Sequence, residues 1–241
     1  MTSSTKTTFI PKKNRDRLIK DIVEIMKKPL TEHGIYYFHD ENNMMQGHAI
    51  IFGPKTTIYE NGIFLFRFKF PANYPYEPPV LKYLTNDGNT RFNPNLYRSS
   101  KVCLSILNTW RGEQWTACQT ISTVLLTLTT LFHNKPLLNE PGLTEKHRDF
   151  DKYNKILEYQ NFKVAINGIY SKKYLPADFE KFFDTIENHI KKEKKNIINK
   201  IIYLSNTYKK KETLHTSIYN MSVCIDYDGL LEETNELFKL N

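Results

Sequence analysis

IFLFRFKFPANYPYEPP, residues 63–79, joins the clearest strand of the chain to its densest cluster of prolines. Phe64, Phe66, Phe68 and Phe70 alternate with Leu65, Arg67 and Lys69, the period of two that gives a strand one apolar face. Pro71, Pro75, Pro78 and Pro79 cannot supply the N–H groups of a central ladder, so this stretch links the strand to a further one at 80–84. Upstream, Glu60-Asn61-Gly62 reads as a turn. Before it, His48-Ala49-Ile50-Ile51-Phe52 makes a strand closed by Gly53-Pro54, and Tyr36 and Phe38 mark a shorter one. Four short strands joined by turns predict an antiparallel meander.

The flanks of the meander change period. Leu18, Ile19, Ile22, Val23 and Met26 fall at helical spacing over residues 15–28, and Pro29 stops that helix. After Leu84 regular pattern disappears for about twenty residues rich in Asn and Pro, which reads as a shaped, functional loop. Trp115-Thr116 opens the next helix. Thr116 and Gln119 fit a capping box, and Ile121, Val124, Leu125, Leu128 and Phe132 line one face. Its threonines and β-branched residues make it a poor isolated helix, so burial has to hold it. Asn139-Glu140-Pro141-Gly142 is a turn, and helical segments follow near 149–158 and 159–169. Beyond 171, Pro176 suits a helix start, Phe179, Phe182, Phe183, Ile186 and Ile190 repeat at helical spacing, and 230–240 is a last short helix. The aromatic stripe reads as core, packing this section on the domain and leaving its acidic end free. The division is therefore an α+β core, residues 10–171, and a helical C-terminal extension, 172–241. No repeat of 20–50 residues is visible.

Composition excludes several classes. With 40% hydrophobic and 13% aromatic residues in 241, the chain is neither disordered nor low-complexity. No apolar run approaches the roughly 18 residues that span a bilayer. The first residues, MTSSTKTTFIPKKNR, have no apolar core of a secretory signal, so the expected compartment is cytoplasm or nucleus, with no membrane partner. Three scattered cysteines suit neither a disulfide framework nor a zinc site, so each is a free thiol and no metal is implied. The net charge of +8 divides into +7 over 1–171, +6 over 172–211 and −5 over 212–241. KKEKKN and YKKKET read as solvated helix face and loop, and without a basic stripe interleaved with aromatics no nucleic-acid partner is expected.

Cys103 is the residue that could do chemistry. Between Val102 and Leu104 it reads as a small buried hydrophobe. Its place after an irregular polar loop reads instead as a site residue, with Asn93 and Asn95 upstream able to donate to a developing oxyanion. The histidines nearest in sequence are His48 and His133, so a cysteine hydrolase would need one folded in as base. Thioester exchange is the reaction a cysteine supports without a base, because a thiolate attacks a thioester readily.

Phe70-Pro71-x-x-Tyr74-Pro75-Tyr76-x-Pro78-Pro79, then Asn93-Pro94-Asn95, then Cys103-Leu104-Ser105-Ile106-Leu107 and Trp115 before a helix, together resemble the core of the ubiquitin-conjugating enzyme family. The resemblance runs from about Leu18 to Ile169. Arg91-Phe92-Asn93-Pro94-Asn95, Tyr97-Arg98, Lys101 to Leu107, Thr109-Trp110 and Asn139-Glu140-Pro141-Gly142 resemble its large Z-type branch, and Asp226-Tyr227 with Leu230-Leu231 do so more loosely. It implies the ubiquitin-conjugating (UBC) fold and a transferase in which Cys103 takes ubiquitin as a thioester from an activating enzyme. A substrate lysine or a ligase then receives it. ATP is consumed upstream by the activating enzyme and no cofactor is bound.

Position by position, the resemblance makes Asn95 the residue that stabilises the oxyanion or holds the loop, and Tyr97 a seat for the incoming lysine. Glu140 falls where many members carry an Asp that orients that lysine and lowers its pKa, a need set by the inertness of an ammonium. Asn139 and Ser105 complete the lysine's surroundings; Tyr76, Ala117 and Cys118 match the ligase-docking loops, and the basic face of the first helix matches the activating-enzyme contact. The chain departs from the pattern at Asn93, where the family motif has His, and at Ser105, where several members have Asp. Ala117 replaces a proline, which implies a looser docking loop. Plain readings stand beside these: Asn95 capping a turn, Glu140 a solvated carboxylate, Tyr97 a packing ring, Tyr76 a surface aromatic, Cys118 and Cys224 passive thiols. The rivals in function are conjugation of another ubiquitin-like modifier, a non-catalytic ubiquitin-binding module, which loss of the cysteine would mark, and the hydrolase.

Overall fold

The computed structural model describes residues 10–239. The reading of the first residues as lacking a signal therefore falls mostly outside it. Helix α1 spans Lys12–Lys27 and a 3₁₀ turn follows. The meander is β1 (Ile35–His39), β2 (Gln46–Phe52), β3 (Ile63–Lys69) and β4 (Val80–Tyr83), one antiparallel sheet in sequence order. Its register pairs Phe38 with His48, His48 with Arg67 and Ile50 with Leu65, so these side chains share one face. The other face carries Phe64, Phe66 and Phe68. Phe64 stacks on Phe132, just beyond α2 (Ile121–Thr129), whose Val124, Leu125 and Leu128 are buried.

Helix α2 starts later than the Thr116–Gln119 pattern predicts. Thr120 is its N-cap, with a capping box to Thr123. The Thr116–Gln119 hydrogen bond does form, with Thr116 N–H donating to Gln119 Oε1 at 3.2 Å, and it closes a turn ahead of the helix. The two segments predicted between 149 and 169 are one rod: α3 (Phe150–Gln160) runs on into a π-helical stretch, Asn161–Gly168.

The extension contributes a 3₁₀ segment (Ala177–Phe182), α4 (Phe183–Thr207), and α5 (Tyr227–Lys239). Between the two helices lies a hairpin absent from the sequence reading: β5 (Glu212–Thr216) pairs with β6 (Met221–Ile225). The aromatic stripe packs, as its spacing predicts. Phe182 stacks on Phe38 at 4.1 Å, Phe179 meets His48 edge-on, and His189 lies flat on Phe52 at 3.7 Å between ring centroids. Asp178 takes two hydrogen bonds from Arg67, at 2.8 and 2.7 Å, and one contact from His48 Nε2 at 2.9 Å. The sheet thus has apolar cover on both sides, which is why Ile63, Phe64, Leu65 and Phe66 are all buried without alternation. The acidic end is not free: Lys163 pairs with Glu233, and Asn167 donates to Thr234 Oγ1 at 2.9 Å.

His189 makes this contact sensitive to acid. Burial holds it neutral, its pKa lowered to about 4 against 6.5 in an unfolded chain, despite the attraction of Glu193 and with Lys192 and Lys55 nearby. Unfolding therefore takes up a proton below pH 6.5, and the stability His189 provides is lost as pH falls from there to about 4. Moving from pH 7 to pH 5 should remove about 1–2 kcal/mol by thermal or urea melting. His189→Phe should flatten part of that slope, the remainder coming from His48 and His39, which burial also holds below the usual histidine value.

Candidate active site

The loop between β4 and α2 is folded around its own polar side chains. Asp87 caps its first turn, accepting from the N–H groups of Asn89 and Thr90. Arg91 is buried, its Nε donating to the carbonyl of Asn93 at 3.1 Å and Nη2 to that of Pro94 at 2.5 Å. Its guanidinium lies 3.4 Å from the centroid of the Tyr97 ring and 4.9 Å from that of Tyr219. Tyr153 and Tyr59 donate to the carbonyls of Arg91 and Phe92.

This scaffold presents Asn95 to Cys103. Cys103 N–H donates to the Asn95 carbonyl at 2.9 Å, and Asn95 Nδ2 donates back to the Cys103 carbonyl at 2.7 Å. The amide is thereby hydrogen-bonded to the backbone of the loop that carries the cysteine. Asn95 Oδ1 is buried without a hydrogen-bond partner among the described residues. Thr109 secures the other side, accepting from Leu104 N–H at 2.9 Å, its hydroxyl 3.0 Å from the Val102 carbonyl. Cys103 itself is 1% exposed. Neither histidine nearest in sequence serves it. His48 lies on the far face of the sheet against Asp178, and His133 is committed through both ring nitrogens. Its Nε2 contacts Asn139 Oδ1 at 3.1 Å and its Nδ1 accepts from Lys135 N–H, which fixes the tautomer with the proton on Nε2. The base a hydrolase needs is missing from both positions.

Asn93, where the family motif has His, forms the centre of an amide chain. Its Oδ1 accepts from Asn95 N–H at 2.9 Å and from Asn139 Nδ2 at 3.4 Å, while its Nδ2 donates to the Leu131 carbonyl. Asn139 is thus tied to the Cys103 loop. Glu140, half-buried next to it, receives a hydrogen bond from Tyr219 of the β5–β6 hairpin. Ser105 opens a 3₁₀ turn and faces Gly112, where a Cβ would come within 3.1 Å of its own.

The residues for which the resemblance implies docking lie on two neighbouring loops. Tyr76 is 53% exposed, Cys118 is exposed and Ala117 half-covered. Trp115 Nε1 donates to the Pro75 carbonyl at 2.7 Å and so joins the two loops. The looseness implied by Ala117 is countered by α1: Arg17 donates to the carbonyls of Ala117 at 2.5 Å and Gln119 at 2.9 Å, and its own Nε binds Asp21. Among the described residues no group of three or more His, Cys, Asp or Glu could hold a metal ion, and no helix is long and apolar enough to cross a membrane.

Two residues around this loop carry little sequence signal. Arg91 is visible only as part of a motif, and Tyr219 not at all, since its approach depends on a contact 79 positions away. Arg91→Lys keeps the charge but loses the flat, forked contact with two carbonyls and two rings. It should lower stability by about 1–3 kcal/mol and speed amide exchange over residues 93–103, read by melting and hydrogen exchange.

Comparison with known proteins agrees with these motifs. The family model described as ubiquitin-conjugating enzyme matches residues 17–168. "Ubiquitin-conjugating enzyme E2 Z" of Homo sapiens is 42% identical over 153 residues, covering 62% of this chain and 43% of that protein. The protein of that name from Xenopus tropicalis is also 42% identical, covering 62% and 48%. "Probable ubiquitin-conjugating enzyme protein 17" of Caenorhabditis elegans is 37% identical over 188 residues, 72% of this chain and 25% of its own length. The chain spans less than half the length of these relatives.

Proposed function

The chain belongs to the ubiquitin-conjugating enzyme family, and we propose that it carries ubiquitin as a thioester on Cys103 and passes it to a lysine or to a ligase cysteine. The observation that carries this reading is Cys103 itself, held through its own N–H and carbonyl by Asn95 and flanked by the Thr109 hydroxyl, inside the segment the family model matches. A binding module has no need of a thiol set in such a frame.

In the first half-reaction the Cys103 thiolate attacks the carbonyl carbon of the activating enzyme's thioester. A new S–C bond forms and the activating enzyme's thiolate leaves. In the second, an amine attacks the Cys103 thioester, the N–C bond of an isopeptide forms, the C–S bond breaks, and the electron pair returns to Cys103. The amine's proton has to be removed, and Glu140 is the carboxylate suited to take it. ATP is consumed by the activating enzyme, and this chain needs no cofactor of its own. Tyr76, Ala117 and Cys118 serve as the face for a ligase, and the exposed Lys and Arg residues of α1 as the contact for the activating enzyme. Cytoplasm or nucleus is where such partners would meet it. Ubiquitin is the modifier the relatives' names favour, another ubiquitin-like protein being the alternative.

Mixing the protein with ubiquitin, activating enzymes and ATP should give a band heavier by one ubiquitin that disappears on adding thiol. Cys103→Ala should abolish it while Cys118→Ala and Cys224→Ala leave it unchanged. A wild-type protein that forms no such band with any ubiquitin activator would move the function to another modifier or to binding.

A further inference from the structure

The tip of the β5–β6 hairpin, residues 217–220, reaches back to the edge of the Cys103 loop. Asp149 anchors it, its Oδ2 accepting from Ser217 N–H at 2.9 Å, Ser217 Oγ at 2.6 Å and Ile218 N–H at 3.0 Å. Those donors outweigh the effect of burial and hold the Asp149 carboxyl below the usual range. Arg98 Nη2 fixes the Tyr219 carbonyl at 2.6 Å. The Tyr219 ring sits beside Tyr153 and the Arg91 guanidinium, and its hydroxyl donates to Glu140 Oε2.

Two features make this more than packing. Tyr219 and Asn220 have φ of 57° and 46°, left-handed conformations that a residue with a side chain adopts at a penalty. Four separate contacts hold Tyr219 there, and the result is a phenol aimed at one carboxylate. Burial, and then the bond to Glu140 and its charge, push the phenol pKa up, so the group remains a donor across the neutral range.

We infer that Tyr219 is a positioning residue for lysine acceptance, holding the Glu140 carboxylate so that Oε1 faces the incoming amine, and that the C-terminal extension thereby completes the acceptor side of the site. The inference rests on the proposed transfer from Cys103. A loop carboxylate left alone samples several rotamers. With Oε2 engaged by Tyr219, the remaining oxygen has a fixed direction, and among the described residues Glu140 forms no other side-chain hydrogen bond. Oε1 then accepts an N–H of the lysine ammonium and passes that proton to water, leaving a neutral amine whose nitrogen bonds to the thioester carbon; the nitrogen's second proton leaves through Oε1 to water as the C–S bond breaks and its electron pair returns to Cys103.

The test charges wild-type protein and Tyr219→Phe with ubiquitin, depletes ATP, and chases with free lysine or with hydroxylamine. Hydroxylamine is neutral near pH 7 and needs no carboxylate to shed a proton. Tyr219→Phe should charge normally, discharge to lysine about tenfold more slowly, and discharge to hydroxylamine within about twofold of wild type. Glu140→Gln should show the same selective loss, and adding Tyr219→Phe to it should have no further effect. Lysine discharge at the wild-type rate or faster in Tyr219→Phe would overturn the inference. Equal slowing with both nucleophiles, or additive losses in the double variant, would do so too, by showing a general disturbance of the loop. Failure of the wild-type protein to form any thioester would instead remove the proposed function, and the inference with it.

Discussion

The Arg91 guanidinium is the join on which the site depends. It is buried, and carbonyl oxygens and tyrosine faces stand where a carboxylate partner is usual. A cation can be kept from water this way only if its donors and its flat faces are both satisfied together. Its donors hold the backbone that presents Asn95. Its faces hold Tyr97 from the loop and Tyr219 from the extension. One side chain therefore sets the shape of the Cys103 loop and the docking of a hairpin that begins more than a hundred residues later.

Around that join the polar groups satisfy one another in series. His133 binds Asn139, Asn139 binds Asn93, Asn93 binds the backbone of Asn95, and Asn95 binds the backbone of Cys103. Amides suit this role because each carries a donor and an acceptor and so transmits orientation without charge. The exception is Asn95 Oδ1, which is buried and has no partner among the described residues.

Much of this was legible in the sequence, for physical reasons. The four strands of the meander showed themselves through alternation and through turns rich in Gly and Pro, both local signals. The loop residues of the site were legible through motif order. The start of α2 lies four residues beyond the first pattern because two adjacent Thr-containing patterns, Thr116–Gln119 and Thr120–Thr123, both suit a cap, and the second caps the helix that begins at the buried Ile121. The hairpin escaped notice because Met221-Ser222-Val223-Cys224-Ile225 alternates over only five residues. Its turn also has no glycine: Tyr219 and Asn220 take the left-handed angles instead. A turn stabilised by Asp149, Arg98 and Glu140 leaves no mark on its own segment, so contacts this distant had to be seen in three dimensions.

The cover that the extension gives the sheet has a consequence for how the sequence can drift. Phe38 with Phe182, His48 with Phe179, Phe52 with His189 and Arg67 with Asp178 are partners across one seam, and each pair joins the segment matched by the family model to residues beyond it. A change in one member leaves a hole, a clash or an unpaired charge in the other. Substitutions at these eight positions are therefore expected to be tolerated in matched pairs rather than singly, because each side chain is the packing or charge partner of one across the seam.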